Sequence, residues 1–212
     1  MKQIILDMGS GNTCKNDMSY VMQMIDSVPK LNGPEIILKW QLFKEAGENI
    51  PLERGIFDFA HAYAETQGFK TTASVFDIGS LNFLLQYSVP FIKIANNRQL
   101  DYLTGFVPRS IPIYLSWDGV DNPVCPFVDE LLACESKYPA TIADYLANFS
   151  INELEDAISD HTAGIELYRR YKPRIWEKHW VLERDPNNPD AGPFAITPNE
   201  LEDAISGIGF GG

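Results

Sequence analysis

Apolar residues along this chain come in short runs, and these alternate with amphipathic stretches from one end to the other. Runs of three to five residues rich in Ile, Leu, Val and aromatics predict strands at 4–6, 35–39, 71–75, 91–94, 112–116, 130–134, 157–159 and 174–178. Stretches with helical spacing predict helices at 18–28, 52–66, 79–87, 98–105, 140–147, 163–171 and 198–206. The segment between the fifth and sixth strands, rich in Asp, Gly and Pro, predicts little helix. Strands that alternate with helices build a parallel sheet with right-handed crossovers. Eight such units predict an α/β fold closed into a compact (β/α)₈ TIM barrel rather than an open sheet.

Two local patterns qualify this picture. The octapeptide Asn-Glu-Leu-Glu-Asp-Ala-Ile-Ser occurs at 152–159 and again at 199–206, a coincidence or a local duplication of a helix-friendly string. The second copy follows Thr197-Pro198, a helix start with Thr as N-cap and Pro in the first turn. The first copy has to pass from helix to strand by Ser159, which makes that strand the least secure of the set. The turn Gly9-Ser10-Gly11-Asn12 reads either as a phosphate cradle or simply as a tight turn. A single synthase-type domain is expected over 1–206, with 207–212 as a flexible Gly-rich tail.

Composition narrows the function class. At 212 residues the chain sits near the lower end for one barrel, and 45% hydrophobic residues is ordinary for a globular core. It has no run of 18 or more apolar residues, and Met1 leads straight into the first strand, so neither a membrane span nor a signal peptide is expected. Three cysteines, Cys14, Cys125 and Cys134, without C-x-x-C spacing fit a reducing, cytoplasmic setting without disulfides. A net charge of −12 argues against nonspecific nucleic-acid binding, while leaving room for an anionic substrate held by local positive charge.

In a barrel, polar residues at the C-terminal ends of strands carry the chemistry. Here those ends hold Asp7, Lys39 with Gln41, Ser74 with Asp77, Lys93 with Asn96, Ser116, Glu135 with Ser136, Ser159 with His161, and Glu177 with His179. His161 and His179 stand beside carboxylates 18 residues apart, on consecutive strands. Such a pair can hold a divalent metal with open positions, or be two structural histidines; spacing alone leaves both readings open. Lys39 and Lys93 lie inside apolar strands, where an unpaired ammonium is costly. They read either as a shared phosphate or carboxylate site or as lysines paired to neighbouring carboxylates. The third histidine, His61, falls mid-helix and reads as structural or exposed.

Taken in order, these segments resemble the catalytic barrel of the N-acetylneuraminate (sialic acid) synthase family. The likeness runs through Lys39-Trp40-Gln41, Ala73-Ser74-Val75-Phe76-Asp77, Phe91-Ile92-Lys93-Ile94-Ala95-Asn96, Leu115-Ser116 and Cys134-Glu135-Ser136-Lys137-Tyr138-Pro139. It continues through Ser159-Asp160-His161-Thr162, then Glu177-Lys178-His179 followed by Asn188-Pro189-Asp190. The resemblance implies metal-dependent condensation of phosphoenolpyruvate with an N-acetylhexosamine aldehyde, giving a nonulosonic acid and phosphate. It implies Mn²⁺ held by His161 and His179. Phosphoenolpyruvate would bind Lys39, Lys93, Ser74, Asn96, Ser116, Ser136 and Ser159, and the sugar Gln41 and Asp190. Asp7 or Glu135 would handle the water proton, in a cytoplasmic homodimer whose partners are small molecules, with no nucleic acid and no membrane.

Some positions depart from the family pattern. Asn96-Asn97-Arg98 stands where the family has Ser-Gly-Glu, Trp117 stands at the mouth, and Asn12 replaces a histidine in the first turn. The sequence ends after the barrel, without the family's C-terminal antifreeze-like domain and the arginine it contributes to the sugar pocket. Either Arg98, Arg109 or Arg184 substitutes or the acceptor is chosen less strictly, and the second is expected, with weak acceptor affinity and tolerance for several aldoses. The same reaction on a different aldose, and a non-catalytic barrel serving as a binding or assembly component, are the alternatives.

Overall fold

Each apolar run becomes a strand of one closed sheet. In the computed structural model, which describes residues 3–30, 33–44, 49–120, 125 and 127–206, the strands are β1 (Gln3–Asp7), β2 (Glu35–Leu42), β3 (Lys70–Val75) and β4 (Ile92–Ile94), then β5 (Ile113–Trp117), β6 (Glu130–Cys134), β7 (Ala157–Asp160) and β8 (Ile175–His179). All are parallel, each pairs with its sequence neighbours, and β8 closes onto β1. This is the (β/α)₈ barrel expected from the alternation. The segment 207–212, expected as a tail, lies outside the described residues.

The helices are α1 (Gly11–Cys14), α2 (Met18–Asp26), α3 (Arg54–Thr66), α4 (Ile78–Leu84), α5 (Ile142–Asn148), α6 (Ile151–Asp156), α7 (Glu166–Tyr171) and α8 (Pro198–Ser206), with a 3₁₀ helix at Arg98–Phe106. Two of them, α1 and α6, are too short to leave a periodic signal, and each depends on a cap. Ser10 Oγ accepts from the Asn12 N–H at the start of α1. Ser150 and Glu153 form a reciprocal capping box on α6. Among the described residues between β5 and β6, none is helical.

The repeated octapeptide adopts two structures. At 199–206 it is helical throughout, within α8. At 152–159 its first half is α6, and its Ala-Ile-Ser is the body of β7. The difference is tertiary: Ala157 and Ile158 pair in register with Ile175 and Trp176 of β8, and Ile158 is fully buried. Sheet pairing and burial outweigh a helix preference of under 1 kcal/mol per residue, by order of magnitude.

Alternation along the strands sorts side chains into two layers. Inside, Ile5, Ile37, Phe91, Tyr114, Leu132, Ala157 and Ile175 form an apolar plug. Phe91 and Tyr114 stack flat there, with ring centroids 3.9 Å apart. Outward residues such as Leu38, Trp40, Val75 and Trp176 pack against the helices in the larger core. With the barrel closed below by the plug, the next inward layer, one pleat nearer the C-terminal ends, is polar.

Candidate active site

Above the plug the inward positions are Asp7, Lys39, Ser74, Lys93, Ser116, Cys134, Ser159 and Glu177, and they line a cavity of about 510 Å³. Its rim adds Gln41, Phe76, Asn96, Ser136, Tyr138, His161, His179 and Asp190. Of the strand-end polar residues, all but Asp77 and Glu135 therefore lie on one cavity. The Glu135 carboxylate accepts from Asn148 Nδ2 at 2.6 Å, on the side of α5. The reason is parity: Leu132 and Cys134 face inward, so the next residue faces out.

Both lysines are buried and turned inward, Lys39 at 2% and Lys93 at 1% exposure. Lys39 Nζ lies 2.7 Å from Asp7 Oδ2 and donates to Ser74 Oγ at 3.0 Å. Lys93 Nζ donates to Ser116 Oγ at 2.6 Å and to the Ile94 carbonyl at 3.0 Å. Register brings them together, since Asp7 pairs with Lys39 and Ser74 with Lys93.

Glu177 joins the two halves. It lies 3.8 Å from Lys39 and 3.9 Å from Lys93, and accepts from Ser159 Oγ at 3.0 Å. Its Oε2 is buried without a hydrogen-bond partner. Glu177 is a strand-end carboxylate to which the family resemblance assigns no role. The signal was available, because two residues before His179 on the same strand means the same face.

Electrostatics separate the two lysines. Burial pulls Lys39 down, but Asp7 and Glu177 outweigh it and its affinity for a proton ends above the ordinary lysine value. For Lys93 burial prevails over the opposing Glu177, and its pKa is lowered. Burial also pushes the Asp7 carboxyl up, yet Lys39, His179 and the Gly9 N–H together bring it to about 2. Asp7 is thus a fixed negative charge and a weak base.

The histidines form the opposite wall. Their ring centroids are 5.6 Å apart at the ends of adjacent strands. His161 Nδ1 donates to the Glu135 carbonyl at 2.5 Å, so the neutral ring carries its lone pair on Nε2, where the Tyr138 hydroxyl donates at 3.3 Å. His179 Nδ1 is buried with no hydrogen-bond partner, 3.9 Å from Asp190 Oδ1. Among the described residues, no three His, Cys, Asp or Glu side chains form a closed metal-ligand cluster. Two imidazoles beside a carboxylate are nevertheless the donor types a first-row divalent ion takes.

Asp190 is held from behind. Ser10 and Thr13 hydroxyls each donate to its Oδ2 at 3.3 Å, and Gln41 Nε2 approaches its Oδ1 at 3.4 Å. The Gly9–Asn12 turn therefore braces the Asp190 loop. A Cβ at Gly9, where φ is +71°, would fall 2.2 Å from Thr13 Oγ1. None of Arg98, Arg109 and Arg184 lines the cavity. Arg184 is bonded to Glu200, Arg109 lies over the Phe127 ring, and Arg98 is 3.7 Å from Asp118. His61 sits in α3 with Nδ1 2.5 Å from Thr71 Oγ1, away from the cavity.

No family model and no curated sequence matches the chain. Solved structures do match. The N-acetylneuraminic acid (sialic acid) synthetase of Leptospira borgpetersenii serovar Hardjo-bovis, solved with citrate, has a TM-score of 0.71 at 21% identity, covering 96% of this chain and 81% of that one. The spore coat polysaccharide biosynthesis protein SpsE of Bacillus subtilis has a TM-score of 0.73 at 20% identity, covering 98% and 67%. This chain has the fold of the sialic acid synthase barrel. A DAHP synthase from Thermotoga maritima shares it more distantly, with a TM-score of 0.67 at 12% identity, covering 97% and 67%. At these identities the likeness is one of fold, and it agrees with the resemblance carried by the motifs. No helix among the described residues is long and apolar enough to cross a membrane.

Proposed function

We propose that this barrel joins phosphoenolpyruvate to the aldehyde carbon of an N-acetylhexosamine of the N-acetylmannosamine type, giving a nonulosonic acid and phosphate. The observation that carries this reading is the pair of buried, inward lysines, each backed by a strand-end hydroxyl and both turned toward one cavity. An anion with two charged ends suits such a pair better than a neutral ligand does. Lys39 with Ser74, and Lys93 with Ser116, hold the phosphate and carboxylate, with Asn96, Ser136 and Ser159 completing the pocket. Gln41 and Asp190 face the sugar hydroxyls.

Charge balance supports a metal. Lys39 and Lys93 meet three carboxylates in the cavity, Asp7, Glu177 and Asp190, before any substrate arrives. Adding phosphoenolpyruvate leaves a large excess of negative charge in a buried site unless a further cation is present. His161 and His179, with Asp190 beside them, would hold a divalent ion, Mn²⁺ in this reading, which supplies Lewis acidity at the aldehyde oxygen.

The chain's residues then position and move protons. The lysines fix phosphoenolpyruvate so that its C3 forms a bond to the aldehyde carbon, whose oxygen takes up a proton. Positive charge develops at C2 beside Glu177, whose Oε2, free of hydrogen bonds, receives a proton from the water that adds there. The C2 hydroxyl then becomes the carbonyl as the bond from C2 to the phosphate oxygen breaks; its proton leaves on phosphate toward the lysines, and the proton held by Glu177 replaces the one taken up by the aldehyde oxygen. Asp7 keeps Lys39 charged and oriented, and Glu135 takes no part. The test is phosphate release from phosphoenolpyruvate with Mn²⁺ across a panel of aldoses. Release that depends on an N-acetylhexosamine is expected; absence of any aldose-dependent release would overturn the reading.

A further inference from the structure

Behind the two imidazoles, on the outer face of the barrel, lies a second set of charges that the proposed chemistry does not use. Asp160 and Lys178 each stand one residue ahead of a histidine, so they point away from the cavity into the helix layer. There they pair at 3.1 Å, both fully buried. Asp160 Oδ1 also accepts from the Thr162 N–H at 2.8 Å and the Thr162 hydroxyl at 2.7 Å. Its Oδ2 accepts from Trp176 Nε1 at 3.0 Å, and Lys178 Nζ donates to the Thr162 carbonyl at 2.6 Å. Asp160 and Lys178 are register partners, the last pair of β7 and β8 before the histidines.

Full burial of an ion pair is a poor route to stability, because an apolar pair of similar volume often does as well or better. What this network does is fix geometry. It ties β7 to β8 at the level of the rings and folds residues 160–162 back on themselves around the His161 backbone. Neither Asp160, Lys178 nor Thr162 lines the cavity.

We propose that Asp160, Lys178 and Thr162 are positioning residues that set the separation and orientation of the His161 and His179 rings from the far side of the sheet. In its metal arm this rests on the reading of the two histidines as a ligand pair; in its ring arm it does not. Supporting residues around metal-binding histidines typically change metal affinity about 10- to 100-fold when replaced.

The test is the double variant Asp160→Leu/Lys178→Met, with histidine labelled with nitrogen-15 for spectra of the imidazoles and Mn²⁺ binding followed by electron paramagnetic resonance. The chain has three histidines, and His61, bonded to Thr71, is the internal control. The expected result is that the His161 and His179 signals move while those of His61 do not, and that Mn²⁺ binds about 10- to 100-fold more weakly. Unmoved His161 and His179 signals, signals that move together with His61, or Mn²⁺ affinity equal to that of the unaltered chain would overturn the proposal. Should the unaltered chain bind no Mn²⁺, the metal reading fails and the ring signals alone decide the positioning role. If the double variant does not fold, Thr162→Val is read the same way: it keeps the ion pair and removes one hydroxyl from Asp160, and a smaller displacement of the same two rings is expected. No displacement there overturns the proposal.

Discussion

Lys93→Met separates a binding lysine from a structural one. Lys93 is 1% exposed, and burial lowers its pKa against the pull of Glu177, so the fold bears a cost for keeping the ammonium. Methionine fills a similar volume without charge. Glu177 is left with Lys39 at 3.8 Å and the Ser159 hydroxyl at 3.0 Å, so it is not stranded. The loss of stability should therefore stay below the roughly 3–5 kcal/mol that stranding a buried charge costs. Ligand binding should behave differently. Truncating one partner of a buried, hydrogen-bonded charge pair costs about 2–5 kcal/mol, which corresponds to a loss of roughly 30-fold to several thousandfold in affinity. Calorimetric titration with phosphoenolpyruvate measures the affinity, and a thermal melt of the same sample measures the fold. Affinity within threefold of the unaltered chain, or a loss of binding that merely tracks a loss of folding, would refute the anion-site argument.

Other perturbations probe other parts of the site. The Asp7 carboxyl is lowered from 3.8 to about 2 in the fold, so it stabilises above pH 4, and about 2 kcal/mol is lost as the pH falls from 4 to 2. Asp7→Asn should flatten that part of the acid-unfolding curve, and an unchanged slope would count against the Lys39 pairing. His161→Ala and His179→Ala should each abolish Mn²⁺ binding and turnover while leaving the melting temperature within a few degrees, checked by calorimetry and phosphate release. Thr13→Ala removes one of the two hydroxyls that brace Asp190, and should raise the apparent Michaelis constant for the sugar several-fold without altering that for phosphoenolpyruvate. Equal effects on both substrates would remove Asp190 from the acceptor side.

Periodicity made most of the barrel legible, because closed parallel sheets need buried strands and the apolar runs are long enough to mark them. It failed where an element depends on a few hydrogen bonds: α1 on the Ser10 cap, α6 on the Ser150–Glu153 box. The doubled octapeptide shows the limit from the other side, since identical residues are helix at 199–206 and half strand at 152–159 once β8 is available to pair. Within the candidate site, strand-end polarity marked residues that line one cavity but not the face each one takes. Glu135 turns out of the cavity to Asn148, whereas Glu177, on the same face as His179, lies between the two lysines. The Asp160–Lys178 pair left no mark, because charges one residue from each histidine look like solvated positions until the helix layer covers them.

The proposed reaction forms a carbon–carbon bond with loss of phosphate from C2. It is tested most directly with phosphoenolpyruvate carrying oxygen-18 in the bridge between C2 and phosphorus, incubated with the protein, Mn²⁺ and N-acetylmannosamine. The expected result is that the label leaves with phosphate and that a sugar acid of the combined carbon skeleton accumulates, both read by mass spectrometry. Pyruvate retaining the label, with no combined product, would contradict it.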